Sequence, residues 1–187
     1  MTVLLCDSNQ MQSQLLVSAL RRRPELQVYA CPMQIGPILQ VVEASNPEVV
    51  VFSIQRTGDA WTDLAALRRV RLTHPAIGCL VLTDFYDREL VVDAFRSGAK
   101  GIFCFSEQPF RMFCRCIHCI HEGQIWANAE QLQYLAEALS FVPSLRVVNA
   151  KGGRLLTARE EQVVALVADG LGNRDISQEL NISEHTV

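Results

Sequence analysis

The sequence has no long hydrophobic run and no strong excess of one charge. The apolar run at the start of the chain, Met1 to Cys6, ends at Asp7 and lacks the positively charged segment of a signal peptide. This pattern argues against a secretory signal and a membrane span, so we expect a cytoplasmic protein without a membrane partner. The net charge is -3, from 17 basic and 20 acidic residues. No general basic field would attract nucleic acid, and any contact with DNA must be local.

The seven cysteines are an odd number and lack the spacing of a small secreted domain. They predict reduced thiols in a reducing compartment. Hydrophobic residues make up 49% of the 187 residues and charged residues 20%. This composition is ordinary for a globular protein and leaves enough apolar material for one or two domains.

The first 126 residues alternate short apolar runs with amphipathic stretches. The apolar runs predict five buried strands: Thr2–Cys6, Leu26–Cys31, Glu48–Ser53, Gly78–Thr83 and Gly101–Phe105. Helices are predicted at Met11–Arg22, Ile38–Ala44, Trp61–Leu72, Arg88–Arg96 and from Pro109 to Gly123. Strict alternation favours a five-stranded, parallel, doubly wound α/β sheet of the flavodoxin-like type. The functional crevice of such a sheet lies at the carboxyl ends of its strands.

The last third of the chain has a different pattern. A helix-like segment and the flexible stretch around Gly152 and Gly153 predict a helical linker over residues 127–153. Thr157 and Glu160 then have capping-box spacing, which predicts a helix start. Asn173 and Ser183 are good caps for two further helices, the first of which would contain Ile176 and Leu180. Short helices joined by turns are the layout of a helix-turn-helix.

Three segments carry a closer resemblance: Leu156-Thr157-Ala158-Arg159-Glu160, Val167 to Ser177, and Ile182 to Val187. They resemble the LuxR-type DNA-binding domain, and with the preceding alternation the chain is similar to a NarL/FixJ-family response regulator. The resemblance implies a receiver over residues 1–126 and an all-α helix-turn-helix domain over residues 154–187. The DNA-binding residues that it implies are Thr157, Arg159, Asn173, Arg174, Ser183, His185 and Thr186.

The chain ends at Val187, where the family's DNA-reading helix would begin, so we expect the helix-turn-helix domain to be incomplete. From Lys151 onward, acidic residues also outnumber basic ones. Neutralisation of phosphates supplies much of the affinity for DNA. This segment alone is therefore expected to bind DNA poorly, and DNA is expected as a partner of the complete domain.

The receiver departs from its family at the expected phosphorylation pocket. The acidic pair after the first strand is Asp7-Ser8, and the acceptor position holds Ser53. Phe105 stands where the family has a lysine, and only Thr83 is retained. A single carboxylate is a poor cage for magnesium, and Ser53 has no evident base beside it. We therefore expect no aspartyl phosphorylation, no metal, no cofactor and no catalytic residue.

These residues also have plainer interpretations, which stay open. Ser53 and Thr83 could satisfy backbone groups at strand ends, and Asp7 could cap the first helix. In the fifth helix, Phe110, Phe113, Ile117 and Ile120 form a core stripe. Cys114, His118 and His121 share another face, but three ligands on one helix do not close a tetrahedral metal site. Possible redox sites are Cys114, Cys116 and Cys119, provided that one is exposed with a lowered pKa.

The leading hypothesis is a transcription regulator whose degenerate receiver controls dimerisation without phosphate. A homodimer would form through helix four, strand five and helix five, or through helices one and five. Alternatives are a receiver that senses a small ligand above Phe105 or cysteine oxidation, and an interaction module without DNA binding. An enzyme is the least favoured class, because no nucleophile with a base and an orienting group is evident.

Overall fold

A computed structural model describes residues 1–55 and 60–140, together with isolated positions of the C-terminal part. Those positions are Thr157, Glu160, Val163, Val164, Leu166, Val167, Ile176, Ser177, Leu180, Ile182 and Ser183. The chain divides into two compact units, Met1–Glu137 and Ala138–Val187.

The first unit is built on one sheet of five parallel strands. The strands are β1 (Thr2–Cys6), β2 (Gln27–Cys31), β3 (Val49–Ile54), β4 (Gly78–Thr83) and β5 (Gly101–Cys104). Their order across the sheet is β2-β1-β3-β4-β5. The reversal at β1 sends crossover helices to both faces, which confirms the predicted doubly wound architecture. Every residue of β3 and β4 is buried, as expected for central strands that are covered on both sides.

Six helices follow the strands in the part of the chain that is described to residue 140. They are α1 (Gln10–Leu20), α2 (Ile35–Ser45), α3 (Ala60–Thr73), α4 (Arg88–Arg96), α5 (Phe110–His121) and α6 (Ala129–Ser140). Helix α4 has the predicted bounds, and each of its ends carries a capping signal. Asp87 caps its start by accepting a hydrogen bond from the Leu90 amide at 2.8 Å. Gly98 follows its end with a φ of +102°, a conformation that favours glycine.

Two apolar clusters hold the sheet between the helices, one on each face. Because side chains alternate along a strand, Leu4 and Phe52 belong to one cluster while Leu5 and Val51 belong to the other. The predicted core stripe of α5 fills the second cluster through Phe113, Ile117 and Ile120. Phe110 is the exception: it is 38% exposed at the first turn of the helix, although its ring lies 6.1 Å from that of Phe113.

Most of helix α6 belongs to the first unit and packs on its core. Tyr134 and Leu135 cover the cluster that contains Phe52, and Gln131 of the same helix is buried. The Tyr86 hydroxyl donates to the Glu130 carboxylate at 2.9 Å and accepts from the Asn128 side-chain amide at 2.9 Å. The compact unit consequently extends past residue 126 to Glu137 and overlaps the segment that was predicted to be a linker.

Within the described ranges, no helix has both the length and the apolar character needed to cross a bilayer.

Candidate functional site

The carboxyl ends of β1 and β3 bring the predicted pocket residues together. The two strands are neighbours, with Cys6 opposite Phe52, so Asp7 and Ser53 follow paired positions. Both side chains are buried, with exposures of 4% and 1%. Thr83, at the end of β4, is also fully buried. The topology therefore assembles the predicted pocket from residues that are distant in the sequence.

Two glutamine side chains complete this site. The side-chain amide of Gln12, on α1, donates to the Ser53 hydroxyl at 3.3 Å. The Gln55 amide donates to the Gln12 carbonyl oxygen at 3.3 Å and lies 3.5 Å from Asp7 Oδ1. The Ser53 hydroxyl also lies close enough to the Asp7 carboxylate to lower its pKa. We refer to these four residues, Asp7, Gln12, Ser53 and Gln55, as the polar ring.

The Asp7 carboxylate is unevenly satisfied. Its Oδ1 accepts a hydrogen bond from the Asn9 amide at 2.7 Å, whereas its buried Oδ2 has no hydrogen-bond partner. Burial raises the pKa of Asp7, and the hydrogen bonds from Asn9 and Ser53 lower it in part. The interpretation of Asp7 as the cap of α1 is wrong. The Asn9 side chain caps the helix by accepting a hydrogen bond from the backbone N–H of Gln12. Asp7 instead fixes the turn that leads to the cap.

Within the polar ring, the Asp7 carboxylate is the group that could act as a base toward the Ser53 hydroxyl. A nucleophile that attacks a phosphoryl group also needs positive charge to stabilise the transferred group. The neighbours that complete the ring, Gln12 and Gln55, are neutral amides. The arrangement orients Ser53 but supplies no cation for phosphoryl transfer.

The other predicted pocket residues take separate places. Ser8 is exposed. The Thr83 hydroxyl donates to the Phe85 carbonyl at 2.8 Å, so it stabilises the turn after β4 in the way the plainer interpretation predicted. Phe105 hydrogen-bonds through its amide to the Thr83 carbonyl, but its side chain is 45% exposed. Phe105 therefore lies partly in solvent and does not seal the pocket.

The donor set of the pocket does not fit the magnesium ion that a phosphorylated receiver would need. Magnesium prefers an octahedral set of oxygen ligands that includes carboxylates and waters. Asp7 supplies one buried oxygen without a partner, and its other oxygen is already held by protein donors. Among residues 1–55 and 60–140 and the described C-terminal positions, no group of three acidic, histidine or cysteine side chains is placed to hold a metal.

Gln12 and Gln55 were missed by the sequence reasoning. They lie 43 positions apart, and neither follows a motif that marks a site. The only available signal was their place near the carboxyl ends of β1 and β3, where polar residues gather in sheets of this type.

An open cavity of about 410 Å³ lies beside Phe105. It is lined by Asn9, Met11, Gln12, Leu15, Leu16 and Phe105. Its apolar members are unusually exposed: Met11 by 71% and Leu15 by 67%. Gln12 belongs to both the cavity and the polar ring, so the two features meet at one side chain.

The cysteines of α5 differ in their access to solvent. Cys114 and Cys116 are buried. Burial raises the pKa of Cys116, and the nearby Cys119 adds to this increase. Cys119 is partly exposed and stands three positions after Cys116, a C-x-x-C spacing that the sequence reasoning overlooked. Because both side chains are buried, neither Cys114 nor Cys116 has the exposure that the redox hypothesis requires. His118 and His121 lie 4.0 Å and 3.8 Å from glutamates on neighbouring segments.

The second unit shows the predicted capping box. The Glu160 carboxylate accepts hydrogen bonds from the Thr157 amide at 2.7 Å and the Thr157 hydroxyl at 2.8 Å. The Glu160 amide lies 3.3 Å from the same hydroxyl, which completes the reciprocal pair. These bonds lower the pKa of Glu160. Glu160 is helical, and so is Ile176 in the predicted second helix.

Leu180 lies in a turn, and its amide donates to the Ile176 carbonyl at 2.9 Å, the i to i−4 spacing of a helical hydrogen bond. Ser183 is described without regular structure. The remaining predicted DNA-binding residues lie outside the described residues: Arg159, Asn173, Arg174, His185 and Thr186.

Comparison with known families and proteins gives concordant results. The family model described as bacterial regulatory proteins of the luxR family matches residues 154–187. Over 164 residues the chain is 24% identical to the oxygen regulatory protein NreC of Staphylococcus haemolyticus, covering 87% of this chain and 75% of that protein. Over 189 residues it is 24% identical to the transcriptional regulatory protein LnrK of Bacillus subtilis, covering 99% of this chain and 84% of LnrK.

Solved structures share the fold. A LuxR-family two-component response regulator from Aurantimonas has a TM-score of 0.61 and 21% identity, over 74% of this chain and 97% of that one. A structure of two RcsB dimers bound to two parallel DNAs has a TM-score of 0.60 and 16% identity, over 100% of this chain and 85% of that one. A five-stranded parallel sheet of this strand order, followed by a segment that matches the luxR-family model, agrees with the resemblance to NarL/FixJ-family response regulators.

Proposed function

We propose that this protein is a DNA-binding transcription regulator whose receiver controls dimerisation without aspartyl phosphorylation. The observation that carries the proposal is the polar ring. Ser53 stands at the acceptor position implied by the family resemblance, and two side-chain amides hydrogen-bond to Ser53 and Asp7. A receiver of this kind keeps one arrangement of its pocket because hydrogen bonds within the protein replace the contacts of a phosphoryl group and a metal.

The phosphorylation part is tested by incubating the protein with acetyl phosphate and magnesium and measuring its intact mass. The wild type is expected to stay unmodified. A matched variant that restores the family's pocket, Ser8→Asp with Ser53→Asp and Phe105→Lys, is expected to gain a phosphoryl group. A stoichiometric phosphoryl adduct on the wild-type receiver would overturn this part of the proposal.

We place the homodimer contact on α1 and the adjoining Phe105. Two observations favour this face over helix four and strand five. Helix α6 already covers the neighbourhood of α4, where Arg88 lies 3.6 Å from Glu137 and Tyr134 packs on the core. The α1 side instead exposes Met11 and Leu15, and each such side chain contributes about 1.5–3 kcal/mol when it is fully buried. The RcsB dimers supply a precedent for pairing within the fold, though not for this face.

Light scattering coupled to size-exclusion chromatography tests the face. Leu15→Glu is expected to convert the dimer to a monomer, because a buried carboxylate without a partner is costly. Leu132→Glu is the matched control, since Leu132 is 51% exposed on α6, away from the proposed contact. A dimer that survives Leu15→Glu, or one that is lost in the Leu132 variant alone, contradicts the assignment.

The DNA-binding part rests on the LuxR-family match over residues 154–187 and on the capping box at its start. We propose Thr157, Arg159, Asn173, Arg174, Ser183, His185 and Thr186 as the contacting residues. Fluorescence anisotropy with labelled DNA, measured at several salt concentrations, tests this with the full-length protein. Arg174→Ala is expected to weaken binding and to reduce the salt dependence, because each phosphate contact releases counterions. Unchanged affinity and salt slope would remove Arg174 from the interface.

The cavity beside Phe105 favours one alternative, a receiver that binds a small apolar ligand. Its lining is almost entirely apolar, and Gln12 would connect an occupant to the polar ring. Ligand binding and dimerisation would then compete for the same side chains. A compound that stabilises the wild type but not Phe105→Ala, and that also dissociates the dimer, would favour the ligand reading over dimer contact alone.

A further inference from the structure

Cys6 and Cys31 form a pair of thiols at the edge of the candidate site. They are register partners at the carboxyl ends of β1 and β2, and their sulfur atoms lie 3.6 Å apart. Neighbouring strands are about 4.8 Å apart. This spacing falls within the range of about 4.4–6.8 Å between Cα atoms that a disulfide requires. The spacing of paired strands is therefore compatible with a disulfide, for which the sulfur atoms must close from 3.6 Å to about 2.05 Å.

The two thiols differ in their access to solvent. Cys6 is fully buried, whereas Cys31 is 8% exposed and lines an open cavity of about 450 Å³ with Asp7, Ser8 and Pro32 among its neighbours. The neighbouring Cys6 thiol lowers the pKa of Cys31, and burial raises the pKa of Cys6. Cys31 is therefore the member of the pair that contributes to the lining of this cavity, whereas Cys6 does not.

We propose that Cys6 and Cys31 form a reversible disulfide in response to hydrogen peroxide. The Cys31 thiolate attacks the peroxide oxygen and breaks the O–O bond, which gives a sulfenic acid and water after protonation. The Cys6 thiol then attacks the Cys31 sulfur, which forms the S–S bond and releases a second water. Two thiols are oxidised, the peroxide is reduced to water, and a thiol reductant reverses the change.

The cross-link would act directly on the pocket. The Asp7 amide donates to the Cys31 carbonyl at 3.2 Å, so the turn that carries Asp7 is already tied to the end of β2. A covalent bond between β1 and β2 one residue before Asp7 would fix this edge of the sheet. The inference stands independently of the proposed dimerisation function, because it depends only on the geometry of the two thiols.

Intact-mass spectrometry of the full chain after brief treatment with hydrogen peroxide tests the proposal. The wild type is expected to lose about 2 Da, the mass of two hydrogens, and to show two fewer thiols toward an alkylating reagent. A non-reducing peptide map is expected to contain one linked pair, the peptides of Cys6 and Cys31. Treatment with dithiothreitol should restore the original mass.

Two variants separate this pair from the C-x-x-C of α5. Cys31→Ser is expected to abolish the mass loss, whereas Cys119→Ser should leave it unchanged. In Cys6→Ser the sulfenic acid on Cys31 is expected to persist and to react with dimedone. A linked peptide that joins Cys116 to Cys119, a wild type that keeps all its thiols, or mass loss that survives Cys31→Ser would each overturn the proposal. The wild-type map decides the matter even if a variant fails to fold.

Discussion

Replacing Asp7 by asparagine is expected to stabilise the protein at neutral pH. Asparagine keeps the oxygen that accepts from the Asn9 amide and removes the charge from the buried oxygen that has no partner. An unsatisfied buried polar group costs about 1–3 kcal/mol, and more when it is charged. The side-chain nitrogen of the new asparagine would still lack a hydrogen-bond partner, but it would carry no charge. We therefore expect the free energy of unfolding to rise by about 1 kcal/mol, the lower end of that range. In a chain of this length that corresponds to about 3 °C in Tm.

The gain should depend on pH in a defined direction. Burial raises the pKa of Asp7 in the folded protein, so folding favours its protonated form. The stability that wild-type Asp7 contributes in its protonated form is complete below the ordinary aspartate pKa of about 3.9. It is lost as the pH rises through the higher pKa that Asp7 has in the folded protein. The advantage of Asp7→Asn should therefore be complete at pH 7 and disappear below about pH 4.

Urea denaturation followed by circular dichroism measures both effects, provided that unfolding of the first unit is reversible. Asp84→Asn is the matched control, because Asp84 is exposed and its substitution should change stability by less than about 0.5 kcal/mol. Magnesium is expected to leave the wild-type Tm unchanged. A destabilised Asp7→Asn protein, or a gain that persists below pH 4, would refute the reasoning about the buried carboxylate.

Three further substitutions test the fold. Phe103→Ala should cost about 3–5 kcal/mol in urea denaturation, because it leaves a cavity against the Phe113 ring, whose centroid lies 5.2 Å away; a loss below 1 kcal/mol would contradict this packing. Gly98→Ala should lower the Tm measured by calorimetry, because the backbone there has a positive φ and the added Cβ would lie 2.7 Å from Arg71 Cγ; an unchanged Tm would argue against that conformation. Thr157→Ala should destabilise the second unit by about 1 kcal/mol through loss of the helix cap, whereas Thr157→Ser should keep most of that stability. Hydrogen exchange at the start of the helix is expected to be faster in the alanine variant than in the serine variant.

The fold was predictable because its strongest signals are local. Strands β1 and β4 and helix α4 have the predicted bounds, since an apolar run or a cap marks each end. The start of α2 was placed three residues late, because Gly36 and Pro37 favour a turn when they are viewed in isolation. Proline is tolerated in the first turn of a helix, where its missing N–H has no partner to lose.

The candidate site was only partly predictable. Asp7, Ser53 and Thr83 end strands and could be located from the alternation alone. Their partners could not, because Gln12 and Gln55 join them through tertiary packing and carry no sequence signal. The same limit hid the Cys6 and Cys31 pair, since strand register rather than spacing along the chain brings the two sulfurs together.

The docking of α6 has a practical consequence for anyone who cuts this protein into pieces. A recombinant fragment that stops at residue 126 would strip Tyr134 and Leu135 from the apolar cluster that they cover and leave the Tyr86 hydroxyl without its Asn128 and Glu130 partners. Such a fragment would expose part of this apolar cluster to solvent, and exposed apolar patches promote aggregation. A fragment that stops after Glu137 retains the covering helix, and it is the sensible starting point for crystallisation or NMR of the receiver.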